Sequence, residues 1–150
     1  MARIGIWEGE GEALAPALAP FLPEGAVVAR HPAAFAQGRF DLLAVAPSAA
    51  GWAGAGVIRC RTALLPGSAL PLARVLSAES AVSYGGSPRN TLTISSLEGR
   101  QICVALQRAV LALTGATLER QEFALPFPAG EDPERFLALT GAKLLLTGKP

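Results

Sequence analysis

Leu42-Leu43-Ala44-Val45-Ala46 is an unbroken apolar run of strand length. A strand that is apolar at every position is one buried on both faces, which is the usual condition of a strand inside a parallel sheet. Working outward, Arg3 to Trp7 and Ala26 to Arg30 read as two further short strands. Between them Ala13 to Leu22 has helical composition interrupted by Pro16 and Pro20, each of which lacks an amide donor and disfavours helix in the residue before it. Pro32 to Gln37 gives one or two helical turns. Strand, short helix, strand is the pattern of parallel βαβ units. Beyond the run, Pro47 to Gly56 is too rich in small residues around Trp52 for a crossover helix. Val57 to Leu65 resumes a strand ended by Pro66-Gly67, Ser68 is placed to cap a helix from Ala69 to Leu76, and Ala81 to Tyr84 is a fifth strand. The first half, residues 1–84, is therefore expected to be a compact Rossmann-like parallel sheet with short helices.

From residue 91 the pattern changes. Thr91-Leu92-Thr93-Ile94-Ser95 alternates polar and apolar residues, as in a sheet with one wet face, and predicts antiparallel pairing. Gln101 to Leu113 fits a strand through Ile102, Val104 and Leu106, and a helix through Leu106, Val110 and Leu113. The strand is favoured because Thr114-Gly115 and then Leu118 to Phe123 resemble a turn and the far arm of a hairpin. Asp132-Pro133-Glu134 predicts a helix start, with Asp132 as N-cap, running to about Leu139 before a last apolar run, Lys143 to Leu146. Leu111-Ala112-Leu113-Thr114-Gly115-Ala116-Thr117-Leu118 returns nearly intact as Leu137-Ala138-Leu139-Thr140-Gly141-Ala142-Lys143-Leu144. Two copies do not make a repeat architecture, which needs several units to bury a shared core. The whole reads as one α/β domain over residues 1–150: the parallel half, then an antiparallel hairpin and a C-terminal helix in residues 91–150.

A chain of 150 residues buries about two-thirds of its unfolded surface and needs no staples. Aromatics are only 6% against 51% apolar residues, so Leu, Val, Ile and a few Phe must build the core. Thirteen basic against twelve acidic residues provide no global field to draw in nucleic acid or an anionic membrane. The charge is uneven, with eight Arg from Arg30 to Arg108 against Asp41, Glu79 and Glu98. Cys60 and Cys103 have no second Cys or His at ligand spacing, which predicts unbridged thiols and neither zinc nor redox motifs. The start Met1-Ala2-Arg3-Ile4 enters a strand pattern directly, without a charged leader before an apolar segment, and a cytoplasmic location is expected.

Glu8-Gly9-Glu10-Gly11-Glu12 stands where a dinucleotide fold places its glycines, but Leu14 takes the third glycine's place and the carboxylates would repel a pyrophosphate. A P-loop and a Gly-x-Ser-x-Gly turn are both missing from the sequence, and no cofactor is expected. His31, directly before Pro32, reads as a surface turn residue. Glu131, Asp132 and Glu134 suit a helix N-terminus, where acids offset the macrodipole. Parallel sheets bind ligands at the carboxyl ends of their strands. Those ends carry Ser48, Ser68 and the loop Tyr84-Gly85-Gly86-Ser87-Pro88-Arg89-Asn90. That loop combines pliable backbone with hydroxyls, an amide and a guanidinium, the donor set for a small anionic or polar ligand, with Arg89 the expected contact.

The stretch Ala81 to Thr93, with Leu106-Gln107-Arg108 and Glu119-Arg120-Gln121-Glu122-Phe123, resembles a small uncharacterised bacterial protein family over about residues 62–123. That resemblance implies a fold and no particular activity. Ser83-Tyr84-Gly85 is also similar to the late central-domain strand of Mur ligases, whose ATP-binding P-loop this sequence lacks, so their activity does not carry over. With no acid, base, nucleophile or metal cluster standing out, the chain is expected to be a non-enzymatic binding or interaction module. Its expected partners are a small ligand or a second copy in a homodimer, and neither nucleic acid nor membrane. The alternative is an enzyme acting on a nucleotide or phosphorylated metabolite at the strand-end loops.

Overall fold

Prolines shape the first connection. In the computed structural model, which describes residues 2–11, 13–49, 57–74 and 76–150, Pro16 lies in the first turn of α1 (Ala15–Leu18), and Pro20 in that of a 3-10 turn, Ala19–Phe21. First-turn amides have no intrahelical acceptor, so proline is tolerated there and the helix stays short. This connection joins β1 (Ile4–Trp7) to β2 (Val27–Ala29), and a 3-10 turn at Pro32–Phe35 leads to β3 (Arg39–Val45). β4 (Ile58–Pro66), a 3-10 stretch (Gly67–Arg74) and β5 (Leu76–Tyr84) complete the parallel part. β6 (Leu92–Glu98), β7 (Gln101–Leu106), a small hairpin of β8 (Val110–Leu111) and β9 (Thr117–Leu118), β10 (Gln121–Pro126) and α2 (Pro133–Thr147) follow.

One mixed sheet holds eight of the described strands in the order β10-β7-β6-β5-β4-β3-β1-β2. The ladders from β2 through β1, β3 and β4 to β5 are parallel. β6 pairs antiparallel with β7, and β7 with β10. The two parts are joined by one parallel pair, Tyr84 opposite Leu92. β6, β7 and β10 therefore extend beyond the carboxyl ends of the parallel strands.

Each face of the sheet carries its own core. α1 and α2 cover one face, where Leu14, Leu18, Leu42, Leu64, Tyr84, Leu92, Val104 and Leu145 form a single cluster drawn from both halves of the chain. Trp7, Phe35, Phe40, Leu43, Cys60 and Ala63 form the other, with Trp7 and Phe35 stacked at 5.8 Å. Phe40 and Leu43, like Cys60 and Ala63, lie three apart yet share a face. The inward alternation thus changes phase beside Asp41 and Arg61.

The short apolar runs expected to build a parallel sheet do so, and Thr91 to Ser95 leads into an antiparallel strand as its alternation implies. Gln101–Leu106 is strand. Its long partner is β10, displaced towards Pro126 from the expected Leu118 to Phe123 arm, because the β8–β9 hairpin intervenes. Three expectations are corrected. The helix expected from Ala69 to Leu76 is a 3-10 stretch that begins at Gly67 and breaks at Ala69, and β5 starts at Leu76 instead of Ala81. Pro71 removes a helical donor, and the added strand residues Ser77, Ala78 and Ser80 carry little apolar signal. The run Lys143 to Leu146 continues α2 without a break, since Gly141 packs against Leu92 and Leu64 and keeps the helix on the sheet. The region around Trp52 lies outside the described residues. Among the described residues, no helix is long and apolar enough to cross a membrane.

Candidate functional site

The chain passes from β1 to β2 on one side and from β3 to β4 on the other, so the strand order reverses between β1 and β3, the usual place for a ligand in an open α/β sheet. Here the chain fills that place itself. The Glu8 carboxylate accepts hydrogen bonds from the amides of Leu14 and, at 3.1 Å, Ala15, standing where an external anion would sit. Gly9 lies against Ser48 so closely that a Cβ on Gly9 would fall 2.0 Å from Ser48 Oγ and 2.8 Å from its carbonyl carbon. Ser48 and Ser68 are both exposed, one after β3 and the other after β4.

The loop after β5 is held mostly by its own polar groups. Tyr84 is fully buried, and its hydroxyl donates to the Val45 carbonyl at 2.6 Å, tying the end of β5 to that of β3. The Asn90 side chain is wedged between glycines: a Cβ on Gly67 would lie 2.6 Å from its Oδ1, and one on Gly85 would lie 2.9 Å from its Nδ2. Gly85 has φ +151°, a conformation that an L side chain rarely adopts. Asn90 Nδ2 donates to Ser87 O, and Ser87 Oγ accepts from Arg89 N. From outside, Gln107 Nε2 donates to Pro88 O at 2.6 Å and to Asn90 O at 2.7 Å. Arg108 reaches Thr91 Oγ1 and Arg89 O. Of the residues expected to meet a ligand, Gly86, Ser87 and Arg89 face solvent, whereas Tyr84, Gly85 and Asn90 build the loop.

Beside this loop an open groove of about 720 Å³ crosses β6, β7 and β10. Its floor follows from register: Thr93 stands opposite Ala105, and Ala105 opposite Glu122. Paired residues point to the same face, and this face is the one α2 does not cover. Small side chains make the floor low. Pro88 and Gln107 border the groove beside the loop, and Arg120, just before β10, and Glu122, on it, border the other side. Thr93 is 6% exposed, and its buried hydroxyl finds no hydrogen-bond partner among the described residues. A buried hydroxyl without a partner costs about 1–3 kcal/mol, and Trp7 Nε1 is the other such atom among the described residues.

No protein-family model, curated protein or solved structure matches the chain. The groove was not foreseen in the sequence, although its two signals are there: the polar and apolar alternation of Thr91 to Ser95, whose expected wet face is buried at Thr91 and Thr93, and the small Ala105 in a strand that would lie beside it. The cysteines are free, Cys60 buried and Cys103 half-buried. Burial pushes the Cys60 thiol up from 9.0 to about 11, with Arg39 opposing the shift. His31 is exposed at the head of the Pro32–Phe35 turn.

Proposed function

We propose that this protein is a non-enzymatic binding module that takes a small polar or anionic ligand in the groove across β6, β7 and β10, with the exposed part of the Tyr84–Asn90 loop at its border. The observation that carries this reading is a groove large enough for a metabolite, with Thr93, Ala105 and Glu122 in one row across it and the Thr93 hydroxyl buried without a partner among the described residues. The groove's polar groups are hydroxyls, amides, one guanidinium and one carboxylate, a set suited to holding a ligand in register. Arg120 supplies the charge for an anionic group on one side, and Arg89 is the loop's exposed cation on the other. The parallel half is Rossmann-like in this reading, with its usual phosphate position taken over by Glu8. An enzyme of nucleotide or phosphate chemistry would want that position free.

A thermal-shift screen of nucleotides, sugar phosphates and acyl compounds, run on wild type and on Thr93→Val, tests the proposal. Thr93→Val removes the unsatisfied hydroxyl with little change of shape, so the free protein should gain about 1 kcal/mol. The compound that stabilises wild type should stabilise the variant less. A variant less stable than wild type would show that the hydroxyl already has a partner, and equal ligand-induced shifts would remove Thr93 from the site.

A further inference from the structure

β5 is paired along its whole length on one side only. β4 runs beside it from Leu76 to Tyr84, whereas β6 meets it at Tyr84 alone and then continues past its end. Among the described residues, no strand pairs with the outer side of β5 from Leu76 to Ser83. An unpaired edge is a template for another chain, and proteins usually blunt it with charge, proline or brevity. β2, at one end of the sheet, is three residues long, and β10, at the other, ends in Pro126. β5 is nine residues long, and its exposed side chains include the small Ser77, Ser80 and Ala81. Its one charge, Glu79, is held by Arg39 at 2.8 Å.

The charge beside this edge has one sign in excess. Arg39 is opposite Arg59, and Arg59 is opposite Ser77, so all three point to one face, with Phe40, Cys60 and Ala78 directed to the other. Arg61 lies between the pairs Cys60–Ala78 and Thr62–Ser80, which puts it level with Glu79, at the point where the alternation changes phase. Like charges directly opposite on neighbouring strands are unfavourable. Glu79 answers Arg39, while Arg59 and Arg61 have no ion-pair partner among the described residues. Both stand one strand in from the edge, a spacing of about 4.8 Å that an arginine side chain can cross above Ser77.

We propose that the outer edge of β5, from Leu76 to Ser83, takes up an extended acidic segment of another protein as an added strand, with Arg59 and Arg61 meeting its carboxylates. Main-chain hydrogen bonds to the edge provide the attachment, and alternate side chains provide the selection. A second copy of this chain fits less well, because a two-fold pairing of identical edges would bring the unpaired arginines of both copies to one seam.

The test uses the whole protein labelled with ¹⁵N and four synthetic peptides of about eight residues, a length matched to a strand. One alternates Glu with Val, one alternates Lys with Val, and the other two are the Glu peptide N-methylated at every second backbone amide, one in each phase. The Glu peptide should shift the amide signals of residues 76–83, and the Lys peptide should not. N-methylation in one of the two alternating phases should abolish the effect. The double substitution Arg59→Ala/Arg61→Ala should weaken binding about tenfold and keep a wild-type spectrum elsewhere, both arginines being at least partly exposed. Equal response to the Glu and Lys peptides, no shift in residues 76–83 at millimolar Glu peptide, or insensitivity to N-methylation in both phases would each overturn the proposal. Sedimentation showing a dimer whose formation protects these same amides would assign the edge to a second copy and overturn it as well.

Discussion

Tyr84 and Arg89 are five residues apart and serve opposite ends. Tyr84→Phe leaves the buried Val45 carbonyl without its 2.6 Å donor, so it should cost about 1–3 kcal/mol in urea denaturation. Arg89→Ala should leave stability within about 0.5 kcal/mol, because the side chain is exposed and the loop is held through the Arg89 backbone. A large loss in Arg89→Ala would make the guanidinium a structural bridge. The sequence showed this loop to be rich in polar groups but not which of them the protein spends on itself. Gly67 and Asn90 are 23 positions apart, and only folding shows that the absence of a Cβ on one makes room for the amide of the other. Cys60 offers a further check. Its folded thiol titrates near 11 against 9.0 when unperturbed. The folded form thus holds its proton to higher pH than the unfolded form, and the stability this provides is complete below pH 9 and lost as pH rises towards 11. The loss should reach roughly 3 kcal/mol, because holding the proton through each further pH unit is worth about 1.4 kcal/mol. Cys60→Ala should show a correspondingly shallower decline over that range in denaturant melts.

Among the elements, α2 is the one most fully specified by local signals. Asp132 caps it through the Glu134 amide at 3.1 Å, Pro133 opens it, and Gly148 closes it in the left-handed conformation, its N–H donating to Leu144 O. Asp132→Ala should cost about 1 kcal/mol, measured by thermal or urea unfolding, and no loss would mean that the cap is redundant with packing. The near-repeat in the sequence shows where local reading stops. Leu111 to Leu118 folds as a tight hairpin with Gly115 at φ +92°, whereas Leu137 to Leu144, with almost the same letters, lies inside α2 with Gly141 pressed on Leu92 and Leu64. The Asp132-Pro133 start fixes the second copy as helix. The first copy has no such start, and its Leu113 amide bonds instead to Leu145 O of α2. β5 was legible only in its last residues for a related reason. Val82 and Tyr84 are buried, but Ser77, Glu79 and Ser80 are solvated at an open edge, and half-buried Leu76 and Ala78 alone give too little apolar contrast for the alternation to be read.

At the scale of the molecule, a parallel sheet whose customary ligand position is filled from within continues into an antiparallel extension, and that extension carries the open groove. The parallel strands were legible because burial on both faces leaves continuous apolar runs. The groove was not, because it depends on the register that sets Thr93, Ala105 and Glu122 in one row across three strands. The measurement that bears most directly on the proposed binding role is a ¹⁵N–¹H titration of the whole protein with the compound giving the largest thermal shift. The expected result is a continuous set of amide perturbations at Thr93, Ala105, Gln107 and Glu122, extending into residues 86–89 and leaving the Glu8 to Ala15 amides in place. Perturbations centred on Gly9, Ser48 and the α1 amides, with the groove silent, would contradict it and return the ligand to the strand-end crevice.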